Sequence, residues 1–248
     1  MELISPLTGL RRDGRREDEI RDIKCHFGVA KDADGSVLFE QGNTKILATV
    51  FGPSDAGEND DDDGDLDLLE DPSGLECEFK LSAFSQQDRR TGQGDDPRAD
   101  EYSEYMEMCY KVVMFPHKNE NSVVKVTCQV LQADGSHLAA ALTAGTLALI
   151  DAGIQIKDLI VGCTTTIIDG KALVDISSHE ELQRLPQVTV GVIARSGEII
   201  VMDMKNRFHK DLLNPILAAS LAGSGKIFEE VEAIVREHVK NSAPNFTT

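Results

Sequence analysis

An Asp-Gly-Ser turn stands directly before an alanine-rich run, and these residues have the type and spacing of an anion site. The run is QADGSHLAAALTAGTLALIDAGI, residues 132–154. Backbone N–H groups at a helix start attract anions, and a glycine such as Gly135 lets a phosphate approach closely. The same pattern is typical of an ordinary N-cap, in which Asp134 or Ser136 accepts from those N–H groups. Both interpretations stay open at this point.

Cysteine and histidine spacing argues against a metal centre. The five cysteines are odd in number, widely separated and without a CxxC pair: Cys25, Cys77, Cys109, Cys128 and Cys163. The six histidines are equally scattered. This distribution favours reduced, mostly buried thiols over disulfides or a zinc site. We therefore expect no structural metal and no resident cofactor.

The net charge of −18 comes largely from one segment. Ten acids and no base lie between positions 55 and 71: Asp55, Glu58, Asp60, Asp61, Asp62, Asp63, Asp65, Asp67, Glu70 and Asp71. Without them the net charge of the chain is −8. Such a segment is too charged to bury, so residues 54–74 are predicted to be a solvated, disordered insertion. Recruitment of a basic partner is the alternative role.

Overall composition is typical of a globular protein, with 41% hydrophobic and 27% charged residues. No apolar run reaches the roughly 18 residues that a membrane span needs. The first residues, MELISPLTGL, lack the basic and apolar regions of a signal peptide. We therefore expect no membrane association.

The elements that must position the turn begin with three short apolar runs, residues 25–31, 36–40 and 44–51. The turn residues between them predict an antiparallel meander. The third run is apolar on both faces, so it is predicted to be covered on both, and Gly52-Pro53 is predicted to end it.

Further along, a strand at 76–84 precedes an amphipathic helix around Tyr102 to Val113, and period-two alternation predicts a strand at 123–131. The alanine-rich helix is apolar on almost all sides and should be central, with Gly153 at its C-terminal cap. Strands at 159–168 and 172–176, a hairpin at 188–194 and 198–202, and a long C-terminal helix complete the pattern. The predicted class is α+β (mixed α/β), one domain over residues 1–248, with two similar β-α halves.

Four stretches together resemble the RNase PH family: GLRRDGRREDEIR, DGSVLFEQGNTKILATVFGP, QVLQADGSHLAAALTAGTLALIDAGI and LVDISSHEE. Within that family, the likeness is to eukaryotic exosome ring subunits descended from the catalytic subunit of the archaeal exosome. The resemblance implies an RNase PH fold with mixed sheets and a long C-terminal helix. It also implies that active relatives shorten RNA from the 3′ end by phosphate attack, releasing nucleoside diphosphates.

Phosphorolysis requires arginines to hold phosphate and a carboxylic acid to handle the proton at the leaving oxygen. The resemblance assigns a phosphate-binding arginine to position 138, where this chain has Leu138, and a hydroxyl to position 137, where it has His137. It assigns the two acidic positions to Asp175 and Glu181. Gly135, Ser136 and His137 are then the remnant of a phosphate cradle.

Arginines near the first helix are the candidates for RNA contact. Arg98 is the possible survivor of a pair that active relatives carry, and Arg89 and Arg90 precede it in a polar loop. The denser cluster, Arg11, Arg12, Arg15 and Arg16, belongs to the family pattern DGRR. There an arginine is expected to pair with a carboxylate, so we interpret this cluster as structural.

These residues lead to two functional hypotheses. The first is a non-catalytic ring subunit of the RNA exosome, with other RNase PH-like subunits, RNA-binding cap subunits, a hydrolytic nuclease and single-stranded RNA as partners. The second is an active phosphorolytic 3′–5′ exoribonuclease, which would use inorganic phosphate. Leu138 favours the first. The resemblance implies a location in the nucleus, nucleolus and cytoplasm.

Overall fold

Two β-sheets enclose a buried helix in the computed structural model, which describes residues 4–5, 8–55, 74–86, 89, 96–115, 122–168, 170–207 and 209–242. The strands are β1 (Ile23–Phe27), β2 (Gly35–Gln41), β3 (Thr44–Asp55), β4 (Leu75–Leu81), β5 (Ser122–Gln132), β6 (Ile160–Ile168), β7 (Lys171–Val174), β8 (Gln187–Ile193) and β9 (Ile199–Lys205). The α-helices are α1 (Pro97–Val113), α2 (His137–Asp151), α3 (Ser178–Glu181) and α4 (Leu213–Ser242).

The first sheet has the strand order β1-β2-β3-β5-β4. Its first three strands form the predicted antiparallel meander, and β5 continues it antiparallel to β3. The last strand, β4, runs parallel to β5, because α1 forms the crossover connection that a parallel pair requires. This connection brings the start of α1 to the same edge of the sheet as the end of β4.

The second sheet is antiparallel, with the order β7-β6-β8-β9. The predicted hairpin is confirmed as β8 and β9. The long C-terminal helix is confirmed as α4, and it packs on β6, β7 and β8. Among the strands of the described residues, β9 pairs with β8 alone, so it forms an edge of this sheet.

Helix α2 lies between the two sheets, and the prediction that it is central and buried is confirmed. Twelve of its residues, from Leu138 to Leu149, are buried. Small residues at the contact allow α2 and the second sheet to approach closely. A Cβ added to Gly162 of β6 would overlap the backbone carbonyl group of Ala139 in α2. Gly153 follows the helix with φ +73°, as its predicted capping role requires.

The structure corrects two predictions about β3. Gly52-Pro53 does not end the strand, because a register shift between Phe51 and Ser54 accommodates the proline, and pairing with β5 resumes at Ser54. The strand is also not covered on both faces. Ile46, Ala48 and Val50 are fully buried, whereas Phe51 on the opposite face is 43% exposed.

Other expectations have different outcomes. All five cysteines are free thiols, four of them buried and Cys25 partly buried, as predicted. Burial raises the pKa of Cys128 to about 12.

Most of the acidic segment, residues 56–73, lies outside the described residues, as does Arg90. Within the described part, no helix is long and apolar enough to cross a membrane.

Candidate functional site

A cleft of about 1430 Å³ opens between the end of β4, the tip of α2, helix α3 and the end of β9. Seven of the residues singled out in the sequence line it: Arg12, Arg15, Arg98, Asp134, Gly135, His137 and Glu181. Leu138 and Asp175 do not; they are 3% and 1% exposed, respectively. Arg89 is exposed but lies outside the lining.

The turn before α2 packs against the loop that precedes α3. Ser136 adopts a left-handed conformation with φ 54°, and its hydroxyl donates to the Ile176 carbonyl at 2.9 Å. Its side chain therefore caps no α2 N–H group, which excludes the N-cap interpretation for this residue. Gly135 has φ +79°, and a Cβ there would lie 2.7 Å from the Ile176 carbonyl oxygen. The turn residues are thus fixed by packing.

Asp134 is also not an N-cap. Its carboxylate accepts from the Ser178 hydroxyl at 2.5 Å and from the Asn43 side-chain amide at 3.1 Å. Its carbonyl accepts from the Arg21 guanidinium at 2.7 Å. Asp134 therefore ties the start of α3 to the α2 turn and the β2–β3 turn.

Leu138, where the resemblance puts a phosphate-binding arginine, belongs to the hydrophobic core. His137, one residue earlier, faces the cleft among aromatic rings. Its ring centroid lies 5.7 Å from that of Tyr102 and 6.2 Å from that of Phe79. The tip of α2 therefore presents an imidazole beside aromatic rings, with an apolar side chain at the position of the arginine.

Buried arginines form the floor beneath this turn. Arg11 binds both oxygens of Glu180, at 2.8 and 2.5 Å, and donates to the carbonyls of Val174 and Asp175. Arg15 pairs with Asp13 at 2.6 Å. The interpretation of this cluster as structural is confirmed for these two arginines, since their charged groups bind carboxylates of the same chain.

Asp175 is bound by Arg21, another buried arginine. The Arg21 guanidinium lies 2.7 Å from Asp175 Oδ1, and the Arg21 backbone N–H donates to Oδ2 at 2.8 Å. Burial alone would raise the pKa of Asp175, but the charge and hydrogen bonds of Arg21 outweigh it and lower the pKa below the usual 3.8. Asp175 is therefore a buried, permanently ionised anchor at neutral pH, without a proton to donate.

The opposite wall of the cleft has partly exposed charges. Lys205, at the end of β9, donates to the Tyr102 hydroxyl at 2.6 Å. Its ammonium group lies 3.9 Å from carboxylate oxygens of both Glu181 and Asp203. Burial lowers the pKa of Lys205, but Tyr102 and the two carboxylates outweigh it and raise the pKa. Lys205 is therefore a firmly protonated cation that faces the cleft.

Asp203 on β9 lies 3.9 Å from the Lys205 ammonium group. Burial raises its pKa, opposed by the charges of Lys205 and Arg98. Among the described residues, its Oδ2 atom is buried and accepts no hydrogen bond. The carboxylate is thus held in an unfavourable environment beside Lys205.

Sequence reasoning missed several cleft residues. Tyr102 was assigned only to the apolar face of α1, and Lys205 lies beyond the predicted end of its strand. The whole of α3 was unpredicted, although the Ser-Ser-His-Glu-Glu sequence carries a capping signal, and Glu180 accepts from the Ser177 N–H at 2.9 Å. Among the described residues, no three histidine, cysteine or acidic side chains are arranged to hold a metal ion.

Comparison with known proteins gives consistent matches. Residues 19–155 match the 3′ exoribonuclease family, domain 1, and residues 158–223 match domain 2 of that family. The chain is 34% identical over 244 residues to a Caenorhabditis elegans protein named putative exosome complex component RRP41, with 98% of both chains covered.

Two solved structures share the fold. Rice Rrp46 superposes with a TM-score of 0.77 at 24% identity, covering 91% of this chain and all of that one. A chain from a structure titled as the Archaeoglobus fulgidus exosome with RNA bound to the active site gives 0.74 at 22%, covering 89% of this chain and 92% of that one. The architecture described above is therefore the RNase PH fold.

Proposed function

Since the chain belongs to the 3′ exoribonuclease family of RNase PH proteins, we propose that it is an Rrp41-type subunit of the RNA exosome ring that does not itself catalyse phosphorolysis. The observation that carries this proposal is Leu138. It is 3% exposed and belongs to the core at the position where the resemblance puts a phosphate-binding arginine. Loss of one such transition-state ligand typically lowers kcat by about 10²- to 10³-fold.

The state of Asp175 supports the same conclusion. A general acid must deliver a proton to the leaving 3′ oxygen when the P–O bond breaks. Asp175 is ionised, so it has no proton to deliver. It is also 1% exposed and bound to Arg21, so its carboxylate is not open to a substrate. Its role is to hold the two sheets and the α2 turn together.

Assembly into a ring is supported by exposed apolar side chains on an edge strand. Met202 and Met204 of β9 are 41% and 49% exposed. Edge strands with apolar surface are sites of association between chains. The proposed neighbours are other RNase PH-like ring subunits, together with RNA-binding cap subunits and a hydrolytic nuclease that processes and degrades the threaded RNA. The proposed location is the nucleus, nucleolus and cytoplasm.

A phosphorolysis assay tests the proposal. The chain would be co-purified with its ring partners and given single-stranded RNA with and without inorganic phosphate, and nucleoside diphosphate release would be measured. We expect an assembled ring that binds RNA and shows no phosphate-dependent release. Release that requires phosphate and disappears in a ring carrying Glu181→Gln would contradict it.

A second function, active phosphorolysis, has one observation in its favour. Glu181 faces the cleft with 29% of its side chain exposed, beside Lys205 and on the same cleft as Arg98. A carboxyl group beside one cation, on a cleft that a second cation also lines, is the arrangement that phosphate attack needs. The Glu181→Gln ring described above distinguishes this function from the first, because only an active site loses turnover.

A further inference from the structure

Three groups on the cleft have the chemistry to bind a phosphate. Lys205 Nζ uses one of its three N–H donors on Tyr102, and the nearby carboxylates lie 3.9 Å away, beyond hydrogen-bond distance. Among the described residues, Tyr102 is the only hydrogen-bond partner of the Lys205 side chain. Two ammonium donors therefore have no hydrogen-bond acceptor among the described residues.

Arg98 supplies a second cation on this cleft. It lies in the first turn of α1, is exposed and lines the same cleft as Lys205. The charges of Arg98 and Lys205 both act on the Asp203 carboxyl group. Helix α1 and strand β9 thus each contribute a cation to the lining of the same cleft.

Ser85 gives an independent indication of a missing ligand. It lines the cleft and is 4% exposed, and its Oγ is buried without a hydrogen-bond partner among the described residues. Buried hydroxyls are normally satisfied, and an orphaned one costs about 1–3 kcal/mol. Its backbone carbonyl accepts from the Ala133 N–H at 2.8 Å, which fixes Ser85 next to the α2 turn.

We infer that Lys205, Arg98 and Ser85 form a phosphate-binding subsite of the cleft, which takes the place of the cation absent at Leu138. Its ligand is a phosphate oxyanion, and the preferred source is the backbone of single-stranded RNA. That choice of source rests on the proposed function; the subsite itself rests on the three side chains. Glu181 is the internal competitor, because its carboxylate lies 3.9 Å from the Lys205 ammonium group and lines the cleft, whereas Asp203, at the same distance, does not line it.

The direction of each substitution follows from this competition. Lys205→Met should weaken RNA binding about tenfold, since hydrogen bonds to charged groups contribute about 1.5–3 kcal/mol. It should also lower the slope of log K against log salt by about 0.7, the value for one phosphate of a single strand. Ser85→Ala should weaken binding about threefold and should not lower stability, because it removes a buried hydroxyl that has no hydrogen-bond partner among the described residues.

Glu181→Gln should strengthen binding about threefold, because it removes a competing surface charge. A residue that merely supports the fold would not produce this increase. The matched control is Lys125→Met, because Lys125 is also a partly exposed, ion-paired lysine but lies on β5 outside the cleft lining. Its affinity for RNA should equal that of the unmodified chain.

The experiment uses the purified full-length chain with two probes. A fluorescent 12-nucleotide oligoadenylate is titrated by anisotropy at several salt concentrations, and inorganic phosphate is titrated by calorimetry. Lys205-dependent binding of the oligonucleotide supports the subsite with RNA as its source. Lys205-dependent binding of inorganic phosphate alone supports the subsite with free phosphate as its source.

Two results would overturn the inference. One is an unmodified chain that binds neither probe; the other is equal binding by the Lys205→Met and Lys125→Met chains with no gain in Glu181→Gln. Neither result bears on ring assembly or on nucleoside diphosphate release, which the assay of the preceding subsection measures separately. The failure of this inference is therefore distinguishable from the failure of the proposed function.

Discussion

The arginine floor beneath the α2 turn and the β9 wall of the cleft contain the same kinds of charged residues, but the floor charges are buried and tightly paired whereas those of the wall are partly exposed and loosely paired. On the floor, Arg11 and Arg21 are 3% and 7% exposed and are bound to Glu180 and Asp175 at hydrogen-bond distance. On the β9 wall, Lys205 is 27% exposed at its side chain, and its carboxylate neighbours lie 3.9 Å away. Residue type is therefore a poor guide to role in this cleft.

The difference shows which charges remain available to a ligand. A buried arginine with both guanidinium edges occupied stabilises the fold, and most of its N–H donors are already bound to groups of the same chain. A partly exposed lysine with loosely placed carboxylates exchanges partners at little cost. In this chain Arg11 and Arg15 of the densest basic cluster serve the fold, and an isolated lysine at a strand end faces the cleft.

The largest effect expected from this contrast is the loss of a floor arginine. Arg21→Met removes the hydrogen-bonded charge partner of the buried Asp175 carboxylate and leaves it only the more distant Arg15, at 3.6 Å, among the described cations, so the free energy of unfolding should fall by about 3–5 kcal/mol. Urea denaturation measures this value. Arg16→Met is the control, because Arg16 is 76% exposed and 3.8 Å from Glu19, and it should cost no more than about 1 kcal/mol. An equal loss of unfolding free energy in Arg21→Met and Arg16→Met would contradict the distinction between buried and exposed arginines.

The same floor pair predicts a pH dependence. The folded pKa of Asp175 is lowered, so the unfolded chain binds this proton more readily than the folded chain. The stabilisation is complete well above pH 3.8 and is lost as the pH falls below that value toward the lower folded pKa. Unfolding measured between pH 5 and pH 2 should therefore show a steeper loss of stability for the unmodified chain than for Asp175→Asn.

A smaller effect tests whether the α2 turn is held by packing. Gly135→Ala and Gly153→Ala impose similar strain, because the two glycines have φ +79° and +73°. Only the first meets an obstacle, the Ile176 carbonyl at 2.7 Å, whereas Gly153 has nothing within 4 Å. We expect Gly135→Ala to cost about 1–3 kcal/mol more than Gly153→Ala in urea denaturation. A difference near zero would mean that the loop of residues 176–178 moves aside at no energetic cost.

The smallest effect concerns the β9 wall. Because the folded pKa of Asp203 is raised, its ionised form destabilises the fold, and stability falls as the pH rises through that pKa. Asp203→Asn should raise the free energy of unfolding at pH 7 by about 1 kcal/mol, and the gain should vanish below pH 3.8. Asp32→Asn, at an exposed turn position, should change it by less than about 0.5 kcal/mol. A loss of stability in Asp203→Asn would mean that this wall is as structural as the floor.

Local patterns predicted most of the elements because their periodicity reflects burial. The alternating residues of β5 and the all-round apolar sequence of α2 were assigned correctly, as was the hairpin of β8 and β9. The single turn of α3 escaped, since four residues are too few to show a period. The end of β3 was misplaced because a proline at a bulge has the same local signature as a proline that ends a strand.

The sequence by itself determined that this chain has an RNase PH fold, a turn and helix in the form of a phosphate cradle, and a leucine where a cation is expected. Only the tertiary structure decided which charged side chains are bound within the fold and which can bind a ligand. Asp175 and Arg21 are 154 positions apart, and Lys205 and Tyr102 are 103 apart. The reason is physical: a guanidinium or ammonium group becomes a structural anchor or a ligand site according to its burial and its partners, and both are set by contacts between distant elements.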